Sequence, residues 1–270
     1  MHKALNNILK TYGKAAVALS GGVDSACILR EAVQSLGRGR VLAVTVDSCF
    51  FPRHEMRMAE QVAGMLGVAL VVVNLKPLAL EEVRRNDFMR CYYCKRAMFA
   101  AVMQAAGERG FNIVFDGGNT DDKADYRPGM RALRELGVKS PFIEAGIGKE
   151  KIRELSEGLP TRYVPANACL ATRIPHDTII TPEALKRVEA VESSLRELGF
   201  TMVRARYYGD MVRIETPQQR IEEAVAMRGQ ITAAGVKAGF RYVSLDLEGY
   251  KPGNMNSLIS EKTTKTVGYQ

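Results

Sequence analysis

The first 158 residues alternate short apolar runs with longer stretches in which apolar positions recur every three or four residues. Residues 14–19 (KAAVAL), 40–46 (RVLAVTV), 68–75 (VALVVVNL) and 111–115 (FNIVF) are near-continuously apolar, as strands buried on both faces are. Residues 23–36, 53–66 and about 94–106 carry the helical period. Strands alternating with helices predict βαβ units and a parallel sheet covered on both sides, a doubly wound α/β fold.

The pattern changes after residue 158. Residues 159–180 hold Pro160, Pro165 and Pro175 without a clear period, which predicts a loop. An amphipathic helix is expected over 182–198, two alternating strands over 201–208 and 211–216 with a turn at Gly209-Asp210, a helical stretch over 218–236 and a strand over 240–246. The order α-β-β-α-β predicts a smaller α+β domain with an antiparallel sheet. The expected boundaries are 1–160 and 161–258, followed by a polar, frayed tail at 259–270.

Composition narrows the class. The chain has 270 residues, 46% hydrophobic and 25% charged, which excludes disordered, collagen-like and coiled-coil classes. No apolar run reaches the ~18–20 residues of a membrane span. MHKALNNILKTYGK lacks the apolar core and cleavage site of a signal peptide, so the expectation is a soluble cytoplasmic protein with no membrane partner. Lys and Arg number 38 against 30 Asp and Glu, a net charge of +8. That excess reads either as an ordinary basic surface or as preparation for an anionic partner: a nucleotide, a phosphorylated metabolite or RNA. There is no Trp and no aromatic-rich RNA-binding signature.

Ser20-Gly21-Gly22-Val23-Asp24-Ser25 lies between the first strand and the first helix. The glycine pair lets the backbone turn tightly with its N–H groups inward, the helix start adds further N–H groups and a positive dipole end, and Ser20 and Ser25 add hydroxyls. The alternative is a Gly-Gly turn with a helix cap. Neither G-x-x-x-x-G-K-[ST] nor G-x-G-x-x-G occurs. A second Gly/Asx turn, Asp116-Gly117-Gly118-Asn119-Thr120-Asp121-Asp122, ends the fourth strand and reads as facing the same ligand or as an ordinary loop.

The five cysteines are Cys27, Cys49, Cys91, Cys94 and Cys169, an odd count that argues against a disulfide framework. Cys27 and Cys49 lie in apolar runs and read as buried thiols. Cys91-x-x-Cys94 and Cys169 allow three readings: unrelated thiols, structural zinc with a fourth ligand such as His176, or three ligands of a [4Fe–4S] cluster with one open iron. Spacing alone does not choose between them. On strand 201–208, alternation places Arg204 and Arg206 on one face, roughly 6–7 Å apart, with Arg213 able to join them from the next strand. Such a face suits a phosphate or carboxylate, or else cross-hairpin salt bridging.

SGGVDS resembles the pyrophosphate loop of the N-type ATP pyrophosphatases, the PP-loop superfamily. CYYCKRAMF, DYRPGMRA (125–132), ACLATRIPHDTIIT (168–181) and VRARYYGDMVRIE (203–215), in that order, resemble the LarE family of sulfur transferases in nickel-pincer nucleotide cofactor synthesis, over residues 3 to 256. The resemblance implies a PP-loop domain with a smaller α+β domain, and cleavage of ATP to AMP and pyrophosphate. It implies that Ser20, Gly21, Gly22, Asp24, Ser25, Gly118 and Asn119 hold the nucleotide, that Asp24 also holds Mg2+, and that Val46, before Asp47 and Ser48, lies against adenine. It further implies Cys169 as the sulfur-handling residue, Cys91, Cys94 and Cys169 as ligands of a [4Fe–4S] cluster, and Arg173, Arg204 and Arg206 on an anionic, nucleotide-like substrate, pyridinium-3,5-biscarboxylic acid mononucleotide. A sulfide donor, other nickel-pincer cofactor synthesis proteins and a homo-oligomer are the implied partners. Gly249 to Asn254 recurs in the family without an assigned chemistry. The rival readings are a tRNA-thiolating PP-loop enzyme, an amidating enzyme of the NAD or GMP synthetase type, and a non-catalytic nucleotide sensor with structural zinc.

Overall fold

The computed structural model describes residues 2–124, 128–165, 167–251 and 255. Residues 125–127 of the DYRPGMRA segment, 252–254 of the Gly249 segment and the tail at 259–270 lie outside the described residues. The chain divides into two compact units, Met1–Pro77 with Cys91–Asn167, and Leu78–Arg90 with Ala168–Gln270. The single boundary expected near residue 160 therefore falls at 167/168, and a thirteen-residue excursion belongs to the second unit. Hydrogen bonds explain that membership: Ile180 N–H donates to the Arg84 carbonyl (2.9 Å) and Asp177 N–H to the Asn86 carbonyl (3.1 Å). No periodicity announces such bonds.

The first unit opens with α1 (His2–Tyr12), β1 (Ala15–Ala18), α2 (Val23–Leu36), β2 (Val41–Asp47), α3 (Arg53–Leu66) and β3 (Leu70–Asn74). The chain then makes its excursion through α4 (Glu81–Arg84) and returns as α5 (Arg90–Gly107), β4 (Val114–Phe115), α6 (Pro128–Glu135), α7 (Pro141–Glu144) and α8 (Lys149–Leu155). The four strands form a parallel sheet in the order β3-β2-β1-β4. Alternation along β1 sorts the two cores. Ala15, Val17 and Leu19 join Leu5 and Leu9 of α1, Ile28 and Leu29 of α2 and Val62 of α3. Ala16 joins Leu42, Val44 and Val114 with Phe99 and Val102 of α5 and Leu133 of α6. Both faces are covered, which is why the strands read as unbroken apolar runs. β4 is shorter than expected, two residues in place of five.

The second unit holds a 3-10 turn (Leu170–Arg173), α9 (Pro182–Glu197), β5 (Arg204–Tyr208), β6 (Met211–Glu215), α10 (Ile221–Ala226), α11 (Arg228–Lys237) and β7 (Tyr242–Leu245). Thr181 caps α9 by accepting from Ala184 N–H at 3.1 Å, with Pro182 at the first helical position. β5 and β6 form the expected antiparallel hairpin, turning at Gly209 (φ +66°) and Asp210. β7 corrects the expectation of an antiparallel sheet: it pairs with β6 in parallel, because α10 and α11 carry the chain back along the sheet before it enters. Among the described residues, no helix is long and apolar enough to cross a membrane.

Candidate active site

In the first unit β1 gives way to α2 through Ser20 to Ser25. Gly21 sits at φ +80°, and a Cβ there would lie 2.2 Å from the backbone oxygen of Glu55 on α3, so only glycine fits this turn. The serines hold the loop from within. Ser25 Oγ accepts from Ser20 N–H at 3.1 Å, lies 3.0 Å from Ser20 Oγ and donates to the Gly22 carbonyl at 3.1 Å. Gly22 at the N-cap has no side chain to offer, so α2 begins without a side-chain cap. An anion arriving there meets uncapped N–H groups and the positive end of a fourteen-residue helix.

The turn after β4 packs on this loop: a Cβ at Gly117 would come within 2.8 Å of the Ser25 nitrogen. Asn119, fully buried, donates from Nδ2 to Asp24 Oδ2 at 3.3 Å. Burial, then the charge of Asp122, raises the Asp24 pKa to about 6 against the pull of Lys149, Asn119 and Arg153. Two carboxylates that repel each other at the mouth of an amide cradle are a donor set suited to a hard cation such as Mg2+. Lys149 and Arg153, on α8, are exposed and near enough to act on that charge. The sequence reading missed both; a KEKIREL helix carries no signal beyond amphipathicity. The Lys149 N–H donates to Asp121 Oδ2 at 2.7 Å, which fastens α8 to the turn at 116–122.

Val46 stands where β2 outruns β1. Leu19 N–H bonds the Val44 carbonyl at 2.8 Å, the last link to β1. Two residues on, Val46 turns the same backbone edge past the end of β1. This open edge lies beside the strand order's switch at β1, where α/β sheets take ligands.

The second unit concentrates buried charge. Arg90, Arg173, Arg204 and Arg206 are buried, against buried Glu192 and Glu215 among the described residues of this unit. Arg173, a candidate for the substrate, is held by carboxylate and backbone. It is 0% exposed, its Nε and Nη2 donate to Glu192 at 2.7 and 3.1 Å, and Nη1 donates to the Ala168 carbonyl at 2.8 Å and to Thr172 Oγ1 at 2.9 Å. Arg206 lies directly opposite Arg213 in the hairpin, and Glu215 accepts from both at 2.7 and 3.0 Å. Salt bridging within the hairpin is thus present. Burial, then the positive charge of Arg173, holds the Arg204 pKa below the usual arginine value despite Glu192.

The cysteines separate by environment. Cys27 is buried, with its thiol pushed up to about 12 by burial, so it is chemically quiet. Cys49, expected to be buried, is exposed, because it follows the end of β2. Cys91 and Cys94 share one face of the first turn of α5 in the first unit, both half-buried. Tyr92 between them donates to Glu135 Oε2 at 2.6 Å. Cys169, half-buried, caps the 3-10 turn of the second unit. Among the described residues, no group of three or more His, Cys, Asp or Glu side chains is gathered to hold a metal ion. The expected three-cysteine set is therefore divided between separately described units.

Comparison with known proteins places this arrangement. Residues 1–111 match the NAD synthase family. An uncharacterized protein of Synechocystis sp. is 36% identical over 97% of this chain and all of its own length. A pyridinium-3,5-bisthiocarboxylic acid mononucleotide synthase of Lactiplantibacillus plantarum is 34% identical over 96% of this chain and 94% of its own. The chain belongs to the LarE family. An uncharacterized protein of Methanocaldococcus jannaschii is 28% identical over 92% of this chain. As a LarE family member with a PP-loop domain, the chain is an ATP-dependent enzyme. The NAD synthase match stops at residue 111, after the loop at 20–25 and the Val46 edge but before Cys169, Arg173, Arg204 and Arg206.

Proposed function

We propose that the chain is an ATP-dependent sulfur transferase that converts a carboxylate of pyridinium-3,5-biscarboxylic acid mononucleotide to a thiocarboxylate, releasing AMP and pyrophosphate. Likeness over nearly the whole length to a synthase named for the bisthiocarboxylic product carries this reading. The uncapped amide cradle and the placement of Arg204 and Arg206 on one strand support it.

The reaction divides by unit. A substrate carboxylate oxygen attacks the α-phosphorus of ATP, forming an acyl-adenylate as the bond to pyrophosphate breaks. The N–H groups of residues 21–25 and the cations Lys149 and Arg153 take the charge of the departing pyrophosphate; Asp24 and Asp122 would hold Mg2+, which would supply further charge neutralisation there. Val46 offers its backbone edge to adenine, and Gly118 and Asn119 close the turn beside the phosphates. Arg204 and Arg206 hold the phosphate or second carboxylate of the substrate, while Arg173 acts one step back, on the turn that carries Cys169. A sulfur nucleophile delivered at Cys169 then attacks the acyl carbon, forms the C–S bond and expels AMP.

On the likeness to the LarE family, Cys91 and Cys94 of the first unit and Cys169 of the second would be the ligands of a [4Fe–4S] cluster; all three thiols are half-buried, and thiolate is the ligating form. Such a cluster would supply an iron without a protein ligand, where sulfide stays nucleophilic and the cysteine sulfur is spared.

The test is anaerobic incubation of the full chain with ATP, Mg2+, sulfide and the biscarboxylic mononucleotide, followed by mass spectrometry and iron analysis. The thiocarboxylate should appear with stoichiometric pyrophosphate. Cys169→Ala should lose thiolation while pyrophosphate release stays within about twofold, since the cradle is untouched. Thiolation by that variant at the parental rate would remove Cys169 from the mechanism, and a colourless protein with stoichiometric zinc would remove the cluster.

A further inference from the structure

The backbone around Cys169 is held in an unusual way. Residues 168–175 are neither strand nor α-helix, and an irregular surface segment ordinarily leaves its carbonyls to water. Here they accept from buried side chains. Arg173 Nη1 donates to the Ala168 carbonyl at 2.8 Å, Arg90 Nη1 to Ala171 at 3.1 Å and Arg206 Nη1 to Thr172 at 3.0 Å. Asn86 Nδ2 donates to Ile174 at 3.3 Å and to Pro175 at 2.7 Å. Burying guanidiniums to brace a loop is a poor route to stability, because desolvation consumes most of the gain. It does fix the loop in one arrangement.

Asn86 and Arg90 work as a pair. Asn86 is 0% exposed and stands at φ +61°, a left-handed conformation that asparagine tolerates better than most residues. That conformation goes with an Nδ2 aimed at Ile174 and Pro175 and an Oδ1 that accepts a short hydrogen bond from Arg90. Its own carbonyl takes the Asp177 N–H at 3.1 Å. Arg90, 4% exposed, passes the restraint to Ala171, two residues beyond Cys169. Asn86 and Arg90 lie within the excursion at 78–90, and this bracing accounts for its departure from the first unit.

We propose that Asn86 and Arg90 are positioning residues for Cys169: a clasp that fixes the 168–175 turn, and with it the location of the reactive thiol. The proposal rests on Cys169 being the sulfur-handling residue only for its consequence in turnover; the placement of the thiol is tested separately. The hydrogen bonds given above for Asn86 and Arg90 all run within the second unit.

Three variants separate the parts. Asn86→Gly keeps the left-handed backbone accessible and deletes the side-chain bonds. Arg90→Lys keeps charge and length but loses the planar guanidinium. Asn86→Asp is isosteric and keeps the acceptor for Arg90, but it turns the donor to Ile174 and Pro175 into a carboxylate oxygen that repels both carbonyls and adds one buried negative charge. The readout is the rate of iodoacetamide alkylation at Cys169 across pH 6–9 in metal-free full-length chain, by peptide mass spectrometry, with exposed Cys49 as internal reference. Asn86→Gly and Arg90→Lys should change the Cys169 rate roughly fivefold or more and displace its pH profile, with Cys49 within about twofold, because thiol reactivity follows local charge and exposure. Asn86→Asp, which repels the carbonyls Asn86 holds, should change the Cys169 rate at fixed pH roughly fivefold or more with Cys49 within about twofold, and it decides the matter if the other two do not fold. Sulfur transfer should fall about tenfold or more in kcat with ATP-dependent pyrophosphate release kept. A Cys169 profile superimposable on the parent in any folded variant overturns the clasp. A displaced profile with unchanged sulfur transfer keeps the clasp and overturns the role of Cys169.

Discussion

The two units handle charge by opposite means. The first uses neutral backbone N–H groups at the start of α2, adds exposed Lys149 and Arg153, and sets a carboxylate pair, Asp24 and Asp122, at the mouth. The second buries whole guanidiniums, drawn from 86–90, from 168–175 and from β5, against Glu192 on α9 and Glu215 on β6. Amides need no counter-ion and cost little to leave partly open, so the first site is assembled from a short local sequence. Buried guanidiniums are tolerable only when carboxylates and carbonyls from elsewhere meet them. The second site is therefore inseparable from the folding of its unit. Charge at the first site opposes stability; at the second, each buried charge depends on its partner.

The sharpest break of this comparison is Glu192→Ala. Glu192 is fully buried and accepts from Arg173, Arg196 and the Ala205 N–H. Removing it leaves buried guanidiniums uncompensated and should cost roughly 3–5 kcal/mol in chemical denaturation. Burial pushes the Glu192 pKa up, but Arg173, Arg196 and Arg204 outweigh it, and the net shift is downward. A carboxylate lowered by folding contributes stability above its unfolded pKa and loses it as pH falls through the folded one. The stability of the parent should thus fall with acid in a way that Glu192→Ala does not. A loss below about 1 kcal/mol would show that the cluster is hydrated in solution.

Asp24→Asn should act with the opposite sign. The Asp24 pKa is raised to about 6 by folding, chiefly through burial and Asp122. A carboxyl raised in the folded state contributes stability that is present below its unfolded pKa and gone above the folded one. The parent should lose up to roughly 3 kcal/mol from this group as pH rises from about 4 to above 6. Asp24→Asn should therefore be more stable than the parent at pH 7.5 and equal to it at pH 4 in urea titrations, while Mg2+-dependent pyrophosphate release is lost. Gain of stability with loss of function is expected where a site is strained for its ligand.

Why the two sites differ in legibility follows from the same contrast. The loop at 20–25 is contiguous, and its glycines and serines act on their own neighbours, so the cradle was readable from six residues. The four-stranded parallel sheet followed from unbroken apolar runs. The parallel entry of β7 was not readable, because strand direction depends on where α10 and α11 carry the chain. Arg204 and Arg206 were found by alternation along β5. That Arg173 turns inward depends on Glu192, nineteen residues away. Asn86 and Arg90 bond to residues more than eighty positions distant, and no local period marks them. Lys149 and Arg153 reach Asp24 through the fold alone.

The smallest effect belongs to the ion pair beside the Val46 edge. Arg53 on α3 donates to Asp47 at 2.6 Å, with the Arg53 side chain 60% exposed. Water screens such a pair, and ordering two side chains offsets much of the attraction, so Arg53→Ala should change stability by no more than about 0.5 kcal/mol. Asp47 follows Val46, so the substitution leaves a carboxylate with one fewer counter-charge next to the proposed adenine edge. The KM for ATP should rise about two- to threefold, and the difference from the parent should shrink as salt is raised, because screening weakens what the pair supplied. Thermal unfolding of Arg53→Ala alongside Glu192→Ala puts an exposed charge of the first unit against a buried one of the second. Equal losses would mean that charge in the first unit is also structural, and the division drawn between the two sites would no longer hold.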